Sequence, residues 1–290
     1  MQKLETSMDP AWEWARTGGA KEAFFVEGLL PGHEVDLDIV VSQGRVLSAG
    51  VSDNFPSRTP PFFLELGGCA PSHLDESIQL AVVDVVQRIV DELGGLGGAR
   101  RPISCVMHFE ALLTGLDSAK PSVTPIELNC RLGGAETWTR YLACWGEDLA
   151  VLAAQVALGM PPARRRSSLP PPQRHIISLN MVPDRSGILV AQDIPEAVRQ
   201  HPAYFGSSLY WQQGSHIRIP PHGFQYLGWL LVVGDTHAAA MESLRDLVSQ
   251  CTFAIQGPLE ADPEDNPTIL FKHDKAEDES RLSRRLLWIE

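Results

Sequence analysis

The sequence is poor in several features that would each point to a function. Its 290 residues hold five cysteines, Cys69, Cys105, Cys130, Cys144 and Cys251, an odd number with no Cys-x-x-Cys pair. That usage excludes a disulfide scaffold or a zinc ribbon and fits reduced thiols in the cytoplasm. There is no apolar run of about 18 residues or more, so no segment reads as a membrane-spanning helix. The opening MQKLETSMDPAWEWARTGG has no apolar core of the kind a secretory signal carries. Positive charge is scarce as well. Lysine and arginine total 24 against 36 acidic residues, a net charge of −12, which argues against a sequence-independent grip on nucleic acid. Internal repeats are absent.

What is present is ordinary for a globular chain: 44% hydrophobic and 21% charged residues, enough for one large domain or two smaller ones. The first 23 residues show no steady period. In HEVDLDIVV, Val35, Leu37, Ile39 and Val41 alternate with Glu34, Asp36 and Asp38, a strand with one wet face. Ser42-Gln43-Gly44 reads as a turn and RVLSAGVS as the returning strand. A helix is expected over 72–93, capped by Ser72 and Asp75 and stopped by Gly94-Gly95. Strands follow over 104–113 and 124–131, then a helix in GEDLAVLAAQVALG. The stretch PPARRRSSLPPP, with five prolines and three arginines, reads as a linker or long surface loop. The expected division is a residual segment (1–23), a main lobe (24–160), the Pro/Arg linker (161–172), a small β-rich subdomain (173–257) and an acidic tail (258–290).

The chemistry concentrates in PIELNCRLGG. On a strand, Glu127, Asn129 and Arg131 share one face, with same-face neighbours roughly 6.6 Å apart. A carboxylate, an amide oxygen and a guanidinium in that line suit a polyphosphate with its divalent cation, because hard cations take oxygen ligands and arginine clamps phosphate oxygens. In CVMHFEALL, His108 and Glu110 share a face. Antiparallel pairing of the two strands brings Glu110 toward Glu127, and two such carboxylates repel unless a cation lies between them. Polar residues at alternate positions are more often a solvated sheet face; the joint pattern raises the odds of a site.

FVEGLLPGHEVDLDIVV, CVMHFE and IELNCRLGGA resemble consecutive signatures of the ATP-grasp superfamily in its amino-acid ligase branch. The wording of LELGGCAPSHLD and RLGGAETW is similar to the branch that joins β-alanine to L-histidine. The resemblance is good over 24–160 and looser to about residue 258. It implies an α+β fold: the C-terminal half of an ATP-grasp domain, an antiparallel sheet with flanking helices, followed by a small β-rich subdomain. It further implies ATP and Mg²⁺ (Mn²⁺ as an alternative ion), with Glu110, Glu127 and Asn129 holding the metal. Arg131 would face the γ-phosphate and the acyl phosphate. Glu27 and the backbone of Leu29 or Leu30 would read adenine, and Glu34 would lie near the ribose. Glu65, Ser72, Trp138 and Arg140 are softer candidates for the substrate pocket.

The implied activity is carboxylate–amine ligation through an acyl phosphate, with ADP and phosphate released. The family's glycine-rich loop and phosphate-contacting lysines lie before the hinge, whereas only 23 residues precede Phe24 here. The expectation is therefore a chain carrying one jaw of the site and inactive alone. Alternatives are an ATP-grasp ligase with other substrates, and a non-catalytic piece that binds intact subunits. Homo-oligomerisation is left open.

Overall fold

The computed structural model describes residues 28–57, 63–95, 101–117, 121–162, 169–220 and 222–257. Glu27, the arginines at 164–166 and the acidic tail lie outside these. Met1–Pro31 and Gly32–Glu290 form separate compact units. Among the described residues, every strand and helix belongs to the second unit. Leu29 and Leu30 belong to the first and are exposed.

The expected hairpin forms from β1 (His33–Ser42) and β2 (Arg45–Asn54). The elements after it are β3 (Gly67–Ala70), α1 (Glu76–Gly95), β4 (Cys105–Thr114), β5 (Ser122–Asn129), α2 (Thr137–Trp145) and α3 (Leu149–Ala157). Beyond the Pro/Arg stretch come β6 (His175–Met181), β7 (Gly187–Asp193), α4 (Glu196–Arg199), β8 (Tyr204–Leu209), β9 (His216–Ile217), β10 (Gly228–Gly234), α5 (His237–Gln250) and β11 (Thr252–Gln256). Eight strands make one sheet in the order β5-β4-β1-β2-β3-β6-β10-β8, and β11-β7-β9 make a second. The large sheet runs across the Pro/Arg stretch, because β3 pairs antiparallel with β6. The architecture is α+β and dominated by antiparallel pairing.

Period-2 patterning gives the large sheet two different faces. Val35, Leu37, Ile39 and Val41 of β1 join Met107, Phe109, Ala111 and Leu113 of β4 beneath Val82, Val86 and Val90 of α1. Each such side chain, when fully buried, contributes about 1.5–3 kcal/mol. Farther along that face, Ile177, Leu179, Leu230 and Val232 pack with Leu244 and Leu247 of α5. On the other face α2 and α3 cover Val40, Val106, Ile176 and Leu231 through Tyr141, Trp145, Leu149 and Leu152. Asp148 caps α3 by accepting from the N–H groups of Ala150 and Val151, while Trp138 Nε1 donates to the same carboxylate and ties α2 to that corner.

Three local expectations change. Helix α1 begins at Glu76, after the Asp75 carbonyl has accepted from Ile78 and Gln79. Ser72 is therefore no helix cap; its hydroxyl donates to Asp53 at 2.6 Å. Strand β5 ends at Asn129, so Arg131 lies past the strand. Asp36 and Asp38, read as a wet strand face, are 7% and 4% exposed, because Arg140 of α2, with Asn54, closes on Asp36 and His108 closes on Asp38.

Candidate functional site

The pairing of β4 with β5 puts His108 opposite Asn129 and Glu110 opposite Glu127. The pairing of β1 with β4 adds Asp36 opposite Glu110 and Asp38 opposite His108. Two polar rows therefore cross three strands on the face that α2 covers: Asp36–Glu110–Glu127 and Asp38–His108–Asn129. A bulge between Glu110 and Ala111 follows directly, a common device for re-aiming side chains beside a site.

His108 is the hub. Its Nδ1 lies 3.0 Å from Asp38 Oδ1 and its Nε2 3.4 Å from Glu110 Oε1. Burial favours the neutral ring, but hydrogen bonds to Asp38 and Glu110 outweigh it and raise its pKa to about 10. The ring is thus an imidazolium at neutral pH, donating to both carboxylates. The hydrogen bond from His108 in turn lowers the Glu110 pKa. Gly133 makes room for this hub, since a Cβ there would lie 2.7 Å from His108 Nδ1 and 2.6 Å from Thr137. Its neighbour Gly134 faces open space.

Asp36 is the second buried charge. Burial, only partly offset by Arg140 and His108, pushes its pKa up to about 7. Arg140 of α2 places Nη2 3.9 Å from Asp36 Oδ2, crossing β3 at Gly68, where a Cβ would meet the guanidinium at 2.7 Å and the Asp53 carbonyl at 2.3 Å. Asn54 donates to Asp36 Oδ1 at 2.8 Å and Glu34 Oε1 at 2.9 Å, linking Glu34 to the cluster. Burial also raises the pKa of Glu65 and of Glu136, which feel one another and Arg140.

At the open end, Asn129 Nδ2 donates to Glu127 Oε1 at 2.5 Å. This leaves the amide oxygen of Asn129 for another partner. Arg131 donates to the Leu132 carbonyl at 2.9 Å and lies 3.9 Å from Glu127 Oε1. It is more than half exposed, which leaves it free to re-aim. Asp36, His108 and Glu110 converge so that one ligand atom of each lies within 4.8 Å of the others.

Of the expected residues, Glu34, Glu110, Glu127, Asn129 and Arg131 are thus brought into one constellation. Leu29 and Leu30 belong to the other compact unit, and Glu27 lies outside the described residues. The reading from sequence missed Asp36, Asp38 and Asn54 and underrated Arg140. The signal for the aspartates was available: once His108 and Glu110 are assigned a face, antiparallel register carries that face to alternate residues of β1.

Comparison with known proteins bears on the fold. Residues 181–256 match the family model of the L-amino acid ligase C-terminal domain 2. The L-amino acid ligase from Bacillus licheniformis superposes with a TM-score of 0.66 at 24% identity, covering 88% of this chain and 59% of the other. This chain carries the ATP-grasp ligase fold. Carnosine synthase 1 from Gallus gallus is 33% identical over 171 residues, 58% of this chain. The match spans only 17% of that relative's own length. The same ATP-grasp fold appears in the biotin carboxylase domain of the Hydrogenobacter thermophilus 2-oxoglutarate carboxylase, solved with ADP and magnesium. Its TM-score is 0.58 at 15% identity, with 87% of this chain and 52% of the other covered.

Proposed function

We propose that this chain carries the metal- and phosphate-facing part of an ATP-dependent carboxylate–amine ligase that joins β-alanine to L-histidine. One observation supports this most: Glu110 and Glu127 are direct cross-strand partners, flanked by Asn129 and backed by a buried Asp36–Asp38–His108 cluster. Nothing in folding alone favours that arrangement, because carboxylates crowded on one sheet face repel and cost desolvation. The donor set fits a hard divalent cation. Glu110 and Glu127 offer carboxylate oxygens and Asn129 an amide oxygen, the ligands Mg²⁺ takes when it is shared with substrate phosphates. Mn²⁺ accepts the same set. Bound there, the metal would supply charge compensation at the transferring phosphoryl group.

The residues of the chain have distinct tasks in this reading. His108 holds Glu110 ionised and fixes its carboxylate. Arg131 swings from the Leu132 carbonyl toward phosphate oxygens, where a guanidinium offsets charge in the transition state. Glu34 serves the ribose, and Glu27 with the backbone of Leu29 or Leu30 serves adenine. ATP phosphorylates the carboxylate of β-alanine, releasing ADP. The amine of histidine then attacks the acyl phosphate, forming the amide and releasing phosphate. Glu65 and Glu136 suit the incoming ammonium, which would restore the ionisation that burial disfavours. The substrates rest on the carnosine synthase likeness.

The test is nucleotide turnover by a protein that joins this chain to the glycine-rich phosphate-binding lobe of an ATP-grasp ligase, with each amino acid offered in turn; the chain alone should turn over little or none. ADP release that depends on β-alanine and rises with L-histidine, and that Glu127→Gln abolishes, is the expected result. Equal stimulation by unrelated amino acids would sink the substrate assignment while leaving the ligase reading intact. Nucleotide binding that ignores Glu127→Gln would sink the site itself.

A further inference from the structure

A second polar cluster sits on the opposite face of the same sheet, where α1 and α5 pack. Asp53 of β2 points away from Ser52 and Asn54 and is 2% exposed. His33 Nε2 lies 2.9 Å from its Oδ1 and His73 Nδ1 2.5 Å from its Oδ2. One ligand atom from each of the three residues lies within 4.8 Å of the others. The His33 and His73 rings meet edge to face at 5.5 Å, and His237, the first residue of α5, stacks on His73 at 5.6 Å.

Hydrogen-bond counting shows that this carboxylate has more donors than it can use. Oδ1 faces His33 Nε2 and the Ser72 hydroxyl; Oδ2 faces the His73 N–H, His73 Nδ1 and the Cys69 thiol, five in all. A carboxylate offers about four lone-pair sites. Ser72 and the His73 backbone satisfy one site on each oxygen and the two imidazoles take the other two, so the Cys69 thiol is left over and the carboxylate is saturated by close ring nitrogens. Burial opposes ionisation of Asp53, but the hydrogen bonds from His33, Ser72 and His73 outweigh it and hold its pKa at about 2. Beside it, His237 Nδ1 is buried without a hydrogen-bond partner.

We propose that His33 Nε2, Asp53 and His73 Nδ1 form a binding site for a borderline divalent transition metal of the zinc class. Two imidazole nitrogens and one carboxylate oxygen are the donors such an ion takes, with the remaining position left to water or a ligand. The half-exposed His73 side chain opens that position to solvent. Ser72 and the His73 N–H then become the outer hydrogen bonds that orient the carboxylate, and the His237 stack fixes the His73 ring. The donors differ from the all-oxygen set of Glu110, Glu127 and Asn129, so the two sites select different ions. An ion here would pin the end of β2 one residue from Asn54, which holds Glu34 and Asp36.

Cobalt is the probe, because its visible absorption reports coordination, and zinc serves as competitor. The metal-free chain should take up one Co²⁺ with a nitrogen-containing ligand field, and Zn²⁺ should displace it. His33→Asn and His73→Gln should each weaken binding by about 100-fold, while Glu127→Gln should leave it unchanged. Binding that survives both histidine substitutions, or that Glu127→Gln removes, would overturn the assignment. Histidine ¹⁵N spectra of the unmutated chain make the same test without any folding risk. Zinc should shift His33 Nε2 and His73 Nδ1 specifically, and unmoved resonances at saturating zinc would contradict the site.

Discussion

Alternate residues of β1 meet opposite fates a few ångströms apart. Val35, Leu37 and Ile39 are wholly buried in an apolar layer under α1, whereas Asp36 and Asp38 are almost as buried among carboxylates, an imidazolium and a guanidinium. The first face does what folding rewards: it removes apolar area from water and leaves nothing to satisfy. The second keeps charges that burial penalises and must pair them through His108, Arg140 and Asn54. The contrast teaches that one strand serves two purposes. Its odd residues from Val35 to Val41 hold the sheet together under α1, while Asp36 and Asp38 on the other side join the polar cluster and Val40 packs beneath α2 and α3.

The contrast can be attacked directly. The largest stability loss is expected for Phe109→Ala on the apolar face, about 3–5 kcal/mol by denaturant titration, with the polar rows left in place. His108→Ala should cost a similar amount, about 3–5 kcal/mol, because it strands buried carboxylates. The two differ in rescue. Replacing Asp38 and His108 together by Leu and Met should be neutral or stabilising by about 1–4 kcal/mol, while nucleotide binding is lost. A double variant as unstable as His108→Ala would show that the polar face is structural after all.

The pH dependence sharpens the same point. The folded pKa of His108 is raised from 6.5 to about 10, so its contribution is complete below pH 6.5 and fades as pH rises through 10. Asp36, raised from 3.8 to about 7, has the same sign: stability falls as pH climbs from near 4 through 7. Melts of the metal-free chain between pH 4 and 10 should therefore slope downward, and less so in the Asp38/His108 double variant. The smallest effect is expected for Asp148→Ala, which removes the α3 cap and the Trp138 hydrogen bond at an exposed corner and should lower the melting temperature only slightly.

Much of this was legible in the sequence. The alternation in HEVDLDIVV, the turn at Ser42-Gln43-Gly44 and the His-x-Glu and Glu-x-Asn pairs gave β1, β2, β4 and β5; the approach of Glu110 to Glu127 was expected only on condition that their strands pair antiparallel, which they do. What could not be read was what lies over a face. Asp36 and Asp38 looked solvated because patterning shows which residues share a side, not that Arg140 of α2 reaches back across β3 to meet them. For the same reason Asp53 passed unnoticed. Its partners His33 and His73 are 20 residues away on either side in sequence and converge only when β1, β2 and the turn before α1 are folded together. The Pro/Arg stretch looked like a domain boundary by composition, yet β3–β6 pairing carries the sheet past it.

Calorimetric titration of MgATP into the chain and into Glu127→Gln tests the reading of the polar face most directly. Magnesium-dependent binding that Glu127→Gln lowers by at least about tenfold, a loss of about 1.4 kcal/mol, with an unchanged melting temperature, is the predicted result. Equal affinity for the two proteins, or binding indifferent to magnesium, would contradict it.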